Sequence, residues 1–269
     1  QNLSLSPLVQ LYKNPDGQKE RSHIDRILQD LAIESYRRKI TKDLLSTKAG
    51  TYFGAWYELM VYNWLVNQGK NLKIQPTAPK GNSKLDFLIT TKGASIYIDV
   101  ASVQESVSDN NLLQDSQFHL LRDFASFDTM KNATVKKLNQ HKTEGYPYII
   151  CLGLESPMLS AADAVTCLLG NEVVHIPSGR VSIDLNGELF RVDSNGLFLA
   201  NHELSGVLVC HRNRQTPAEG YRLVFCLIEN PYATYKIDDL EFATISRYTV
   251  VSKTTTHYTM AWQNGNAAS

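Results

Sequence analysis

The sequence predicts an α/β protein, and three observations carry that prediction. Residues 83–104 read as a β-hairpin with one apolar face, residues 53–66 as a helix that is apolar nearly all round, and residues 148–154 as an unbroken apolar strand behind a second helical stretch. In order these are helix, strand, strand, strand, helix, strand, which predicts an αβββαβ core around a mixed central sheet. The core is assigned to residues 51–155, with an N-terminal arm and helix over 1–50 and a C-terminal α+β extension packed on the core over 156–269.

Residues 1–22 are polar, with Asn14-Pro15-Asp16-Gly17 as a turn, and are expected to form a loose arm. From residue 23 to about 45, the spacing of Ile24, Ile27, Leu28, Leu31, Ile33 and Tyr36 predicts one amphipathic helix. Its basic end, Arg37-Arg38-Lys39 with Lys42, suits either a solvated face at a helix C-terminus or a phosphate-contacting patch. The next helix, 53–66, closes on Gly69 and should be buried. Glu58 is its only ionisable acid, and a carboxylate in such a helix needs a metal cation, an Arg or Lys, or a set of hydrogen-bond donors.

Residues 71–77 give a short strand, and Ala78-Pro79-Lys80-Gly81-Asn82 a turn. With Lys92-Gly93 as the hairpin loop, Leu85 falls opposite Val100, Phe87 opposite Ile98 and Ile89 opposite Ile96, so one face is apolar along its length. The other face carries Asp86 opposite Asp99 and Lys84 opposite Ala101. Two carboxylates directly across a ladder repel unless a cation or a shared proton sits between them.

Residues 106–111 form a loop with an N-cap, and helical spacing runs from residue 112 to about 141 with a break expected near Ser126. This helix ends in Lys136-Lys137-Leu138-Asn139-Gln140-His141-Lys142. The apolar run 148–154 predicts a central strand buried on both faces. Beyond it, residues 161–169 read as a helix, 173–176, 180–183, 204–210 and 221–229 as strands, and 264–269 as a disordered tail.

The whole-chain totals set bounds. The chain has 269 residues, 43% of them apolar, and a formal net charge of zero, which is ordinary for one large or two modest globular domains. Neutrality argues against a protein that coats polyanions wholesale, although a local basic groove survives such an average. With no apolar run of about 18 residues and no signal-peptide pattern at the start, a cytoplasmic protein without a membrane partner is expected. Because the chain starts on Gln1 rather than Met, further residues upstream are expected. Cys151, Cys167, Cys210 and Cys226 are widely spaced, and Cys151 and Cys226 lie in apolar strands as core thiols. The seven histidines lack metal-ligand spacing and read as structural or surface groups. There is no phosphate-binding glycine loop, and Ser205-Gly206 lacks a nucleophile-elbow motif.

The acids Glu58, Asp86 and Asp99 fall on the first core helix, the second strand and the third strand. Carboxylates on adjacent strands make a hard oxygen site suited to Mg²⁺ or Mn²⁺, and such an ion removes the Asp86–Asp99 repulsion. This arrangement resembles the PD-(D/E)xK phosphodiesterase superfamily, with its restriction endonuclease-like αβββαβ core. It is most similar to a divergent bacterial group whose third-strand motif ends in acid-x-Ala, matched here by Ile96-Tyr97-Ile98-Asp99-Val100-Ala101-Ser102. The resemblance covers residues 53–154, with a weaker echo in Asn230-Pro231-Tyr232-Ala233.

The resemblance implies a divalent-metal-dependent nuclease that hydrolyses phosphodiester bonds in DNA, or RNA, in bacterial defence or a mobile element. It implies Glu58, Asp86 and Asp99 as metal ligands, with Asp86 and Asp99 catalytic. Leu85 stands where the family's Pro would be and Ala101 where its Lys would be. Two replacements for that Lys are open: Lys84, placed across from Ala101 by the hairpin register, and Lys137, whose Lys137-x-x-Gln140-His141 resembles a Lys-x-x-Gln-Tyr motif that some relatives carry on the second helix. Gln104 is a weaker site-lining candidate. The alternative reading is a degenerate nuclease-fold module that binds nucleic acid or a protein partner encoded nearby without cutting. In the nuclease reading the C-terminal half would supply substrate contacts or a homodimer surface. A glycoside hydrolase would use Asp86 and Asp99 but leaves Glu58 unexplained.

Overall fold

The computed structural model describes residues 7–13, 17–91, 94–104, 118–141, 143, 145–155, 161–169, 172–175, 182–185, 198, 201–213, 222–237, 242, 244–253 and 258–263. Four helices come first: α1 (Pro7–Lys13), α2 (Gln18–Asp30), α3 (Glu34–Leu44) and α4 (Ala49–Asn67). They are followed by β1 (Asn71–Ile74), β2 (Phe87–Thr90), β3 (Ser95–Val103), α5 (Phe118–Gln140) and β4 (Tyr148–Leu154). Then come α6 (Ala161–Leu169), β5 (Glu172–His175), β6 (Ser182–Leu185), β7 (Gly206–Asn213), β8 (Arg222–Glu229), β9 (Ser246–Lys253) and β10 (Tyr258–Gln263). The protein is α/β, and the segment from α4 to β4 has the predicted order.

Eight strands form one mixed sheet in the order β1-β2-β3-β4-β7-β8-β9-β10, and β5 pairs with β6 separately. β3 and β4, β4 and β7, and β8 and β9 run parallel; the other neighbours are antiparallel. The centre of the sheet is dry because its strands are apolar on both sides, as parallel strands covered by helices must be. Phe87, Ile89, Ile96, Ile98, Ile149 and Cys151 pack under α2, α3 and α4. Tyr97, Val103, Ile150, Leu152 and Leu154 pack on the other side, with Met130 of α5 and Leu168 of α6. All four cysteines are buried thiols outside any disulfide, as the core-thiol reading requires. Among the described residues, no helix is long and apolar enough to cross a membrane.

α4 is the axle of the first layer. Its C-terminus closes as predicted, with Gly69 at φ +65°, Gly69 N–H donating to Val66 O and Lys70 N–H to Leu65 O. The helix can lie close on β4 because residue 153 is glycine. A Cβ there would sit 2.2 Å from the Tyr57 ring, while the Tyr57 hydroxyl donates to Leu154 O at 2.7 Å.

Three expectations need correction. The arm over 1–22 is not loose where it is described: α1 and the start of α2 are helical, and Leu8 is buried. The single helix from residue 23 is two, interrupted where Leu31 and Ile33 take extended backbone. The break keeps Ile24, Ile27 and Leu31 buried and re-aims the chain so that Tyr36, Ile40 and Leu44 are buried as well, with α3 against α4. α5 runs through Ser126 without a break. Strands β7 to β10 extend the core's own sheet, since β7 pairs with β4 from Ile149↔Gly206 to Leu154↔His211. The turns assigned to Asn14-Pro15-Asp16 and Lys92-Gly93, the 106–111 loop and the 264–269 tail lie outside the described residues.

Candidate active site

The hairpin register is as predicted where β2 and β3 pair: Phe87 faces Ile98 and Ile89 faces Ile96. Pairing stops at Phe87. Residues before it stay paired with the chain after β1, in the register that β1 and β2 already share, with Gln75 N–H donating to Asp86 O at 2.9 Å, Leu85 N–H to Pro76 O at 3.0 Å, and a bridge between Thr77 and Lys84. β3 continues along β4 alone as far as Val103↔Leu154. The strands therefore fork, and Asp86 sits in the crotch. There its Oδ2 accepts the Val100 N–H at 2.8 Å, so a side chain satisfies a ladder donor that β2 no longer reaches.

Asp99 stands beside Asp86, on the β3 face that points towards α5, and is 1% exposed. Its Oδ1 accepts from Lys137 Nζ at 2.7 Å. Its Oδ2 accepts from His141 Nε2 at 2.9 Å and, more loosely, from the Tyr148 hydroxyl at 3.4 Å. Lys137 lies in the last turn of α5 and His141 directly follows its end, four residues on, so both reach the same carboxylate. Lys137 Nζ is also 3.6 Å from Asp86 Oδ2. Glu58 enters from α4, and both of its oxygens accept from Lys39 Nζ of α3, at 2.9 and 3.0 Å.

The electrostatics follow from crowding three carboxyls into a dry space. Burial first, then the charges of Glu58 and Asp99, push the Asp86 carboxyl well above its usual range. Burial also works to raise Asp99, but hydrogen bonds from His141, Asp86 and Lys137 outweigh it and hold Asp99 well below the usual range. The two neighbouring carboxyls are thus pushed in opposite directions, Asp86 up and Asp99 down. Burial opposes the Lys137 ammonium, yet the neighbouring acids more than offset this and its pKa is raised. The Tyr36 and Tyr148 hydroxyls are pushed up by burial and then by these acids, Glu58 and Asp86 for Tyr36 and Asp99 and Asp86 for Tyr148.

Four predicted site residues come together: Glu58, Asp86, Asp99 and Lys137. Lys84 does not join them. The continued pairing with the chain after β1 sets it against Thr77 rather than Ala101, and Thr77 Oγ1 accepts from its exposed ammonium at 2.7 Å. Gln140 is exposed and Gln104 donates to Ala49 O at 3.1 Å, so neither takes the expected role. Leu85 packs with the opposite core layer from Phe87, because the chain bends at the fork.

Sequence reasoning missed His141, Tyr148, Lys39 and Tyr36 as members of the cluster. The i, i+4 spacing of Lys137 and His141 was a usable signal, whereas nothing local ties Lys39 to Glu58. The Asn230-Pro231-Tyr232-Ala233 stretch is a turn staple: the buried Asn230 amide donates to Leu204 O at 2.6 Å, and its Oδ1 accepts Tyr232 N–H at 2.8 Å.

Among the described residues, no three or more His, Cys, Asp or Glu side chains are gathered as a ready-made metal cluster. The chemistry of the donors nevertheless suits a hard divalent cation, since Asp86 and Asp99 offer neighbouring carboxyl oxygens and, beyond burial, the charges of Glu58 and Asp99 push Asp86 upward, a repulsion that a bound cation would relieve. Comparison with protein-family models and with curated proteins finds no match.

Proposed function

We propose that the protein is a divalent-metal-dependent nuclease with a restriction endonuclease-like core, hydrolysing phosphodiester bonds in DNA or RNA with Mg²⁺ or Mn²⁺. The observation that carries this reading is the meeting of Asp86, Asp99 and Lys137 at the β2–β3 fork, with Glu58 close enough for its charge to act on Asp86. The order α4-β1-β2-β3-α5-β4 supports it, being the αβββαβ order of that superfamily.

Asp86 and Asp99, with Glu58 as a third donor, would hold the cation, whose chemistry when bound is to polarise a phosphodiester oxygen and acidify a water. Lys137 supplies the fixed positive charge that develops value as the phosphorane oxygens gain charge, in the place of the Lys that Ala101 lacks. His141 and Tyr148 hold Asp99 in one orientation, and Lys39 does the same for Glu58. A bound cation would oppose the upward push on the Asp86 carboxyl and favour its ionised form.

A second reading, a nuclease-fold module that binds without cutting, is favoured by one observation: both Asp99 oxygens already have partners within the protein. Plasmid DNA and single-stranded RNA incubated with the protein in Mg²⁺ or Mn²⁺, beside Asp86→Ala and Asp99→Ala, separate the two. Cutting by the wild type alone, abolished by EDTA, supports the nuclease. Retained gel-shift binding by all three proteins with no cutting supports the binding module.

A further inference from the structure

A second concavity, of about 760 Å³, lies between α2, α4 and β8, within the usual size of small-ligand pockets. It uses a face of α4 that does not include Glu58: Trp56, Met60, Asn63, Trp64 and Asn67 recur at helical spacing along it. Its floor is apolar and stiff. Met60, Trp64, Leu223 and Phe225 line it, and the Trp64 ring stacks on Phe225 with centroids 4.3 Å apart and planes at 20° and, at 5.9 Å, on Phe242. Two amides one helical turn apart, Asn63 and Asn67, border that floor and offer paired donors and acceptors.

The opposite wall is cationic. Lys19 and Arg26 lie two turns apart on α2, both exposed, with His23 between them. Arg26 Nη2 donates to His23 Nδ1 at 3.0 Å, which orients the guanidinium. Burial, and then Arg26 itself, lower the His23 pKa, so the ring remains a neutral acceptor. Glu20, whose Oε1 accepts from Trp56 Nε1 at 3.0 Å, adds a carboxylate at the same pocket, a group suited to accept from hydroxyls.

We propose that this pocket binds a nucleotide, with the base on the Met60–Trp64–Leu223 floor, its edge read by Asn63 and Asn67, and its phosphates held by Lys19 and Arg26. An apolar ligand would leave the two cations without purpose. An inorganic anion would leave the floor and the amides unused. Asparagine amides match the donor and acceptor edge of adenine, and a guanidinium matches phosphate. The site is independent of the acids at the fork.

The test is calorimetric titration of the full chain with ATP, GTP, adenosine and inorganic triphosphate. A nucleotide is expected to bind at least tenfold tighter than both adenosine and inorganic triphosphate. Arg26→Ala is expected to weaken that nucleotide at least tenfold, and Asn63→Ala to narrow the gap between ATP and GTP, with unchanged circular dichroism. Should Arg26→Ala fail to fold, Lys19→Ala at the exposed neighbour serves in its place. Triphosphate binding as tightly as either nucleotide, no binding of any probe, or unchanged nucleotide affinity in a folded Arg26 or Lys19 variant would each overturn the proposal.

Discussion

Lys137 Nζ donates to Asp99 Oδ1 at 2.7 Å, joining α5 to β3 across 38 residues of sequence. The pair is buried unevenly, with the lysine side chain 20% exposed and the aspartate 1%. Removing the cation leaves a buried carboxylate with His141, Tyr148 and Asp86 to satisfy it. Lys137→Met should therefore cost about 2–3 kcal/mol, below the roughly 3–5 kcal/mol of a fully broken buried pair because His141 still donates. Urea midpoints check this, and adding Asp99→Asn to the variant should recover part of the loss.

Lys84 and Lys137 were equal candidates for the missing lysine, and the structure separates them. Lys84→Ala removes one exposed hydrogen bond to Thr77, so it should shift stability by less than about 0.5 kcal/mol and leave any cleavage rate within a factor of about two. Lys137→Met should reduce the same rate by about 10²–10³-fold. Single-turnover cleavage of one DNA substrate by both variants decides between them. Equal losses would remove the role given to Lys137.

The acid pair makes opposite contributions to stability as pH changes. Asp86 is raised above its ordinary 3.8, so its contribution is complete below that value and is lost as pH climbs towards the folded pKa. Asp99 is lowered, so its contribution is present above 3.8 and lost as pH falls further. Asp86→Asn mimics the protonated acid while keeping an oxygen for Val100 N–H. Its stability relative to the wild type should rise steadily as pH is taken above about 4, at up to about 1.4 kcal/mol per pH unit. Denaturant unfolding from pH 3 to 8 measures the difference, and a flat difference would show that Asp86 ionises normally.

The contact between α4 and β4 should not tolerate a methyl group. In Gly153→Ala the new Cβ meets the anchored base of the Tyr57 ring rather than a flexible tip, so about 2–3 kcal/mol of overpacking is expected. Tyr57→Leu in the same chain should return part of it, and thermal midpoints of the single and double variants test the coupling.

Elements with a strong local period were legible before any coordinates. α4 announced itself by apolar residues nearly all round and by Gly69, β4 by seven consecutive apolar-run positions, and the hairpin register by the alternation that brings Phe87 to Ile98. β9 and β10 were not read from the sequence, and they stand at the far end of the sheet order.

The sequence by itself determined which residues are apolar, at what spacing, and hence the α/β core and the adjacency of Asp86 and Asp99. Only the tertiary structure decided which cations meet those acids. Backbone pairing before Phe87 is kept with the chain after β1 and lost with β3, which removes Lys84, and the packing of α5 on β3 delivers Lys137 and His141 together. The physical reason is range: periodicity reports which side of one element faces the core. The partner of a buried charge is set by how separate elements pack, here α3 on α4 and α5 on β3.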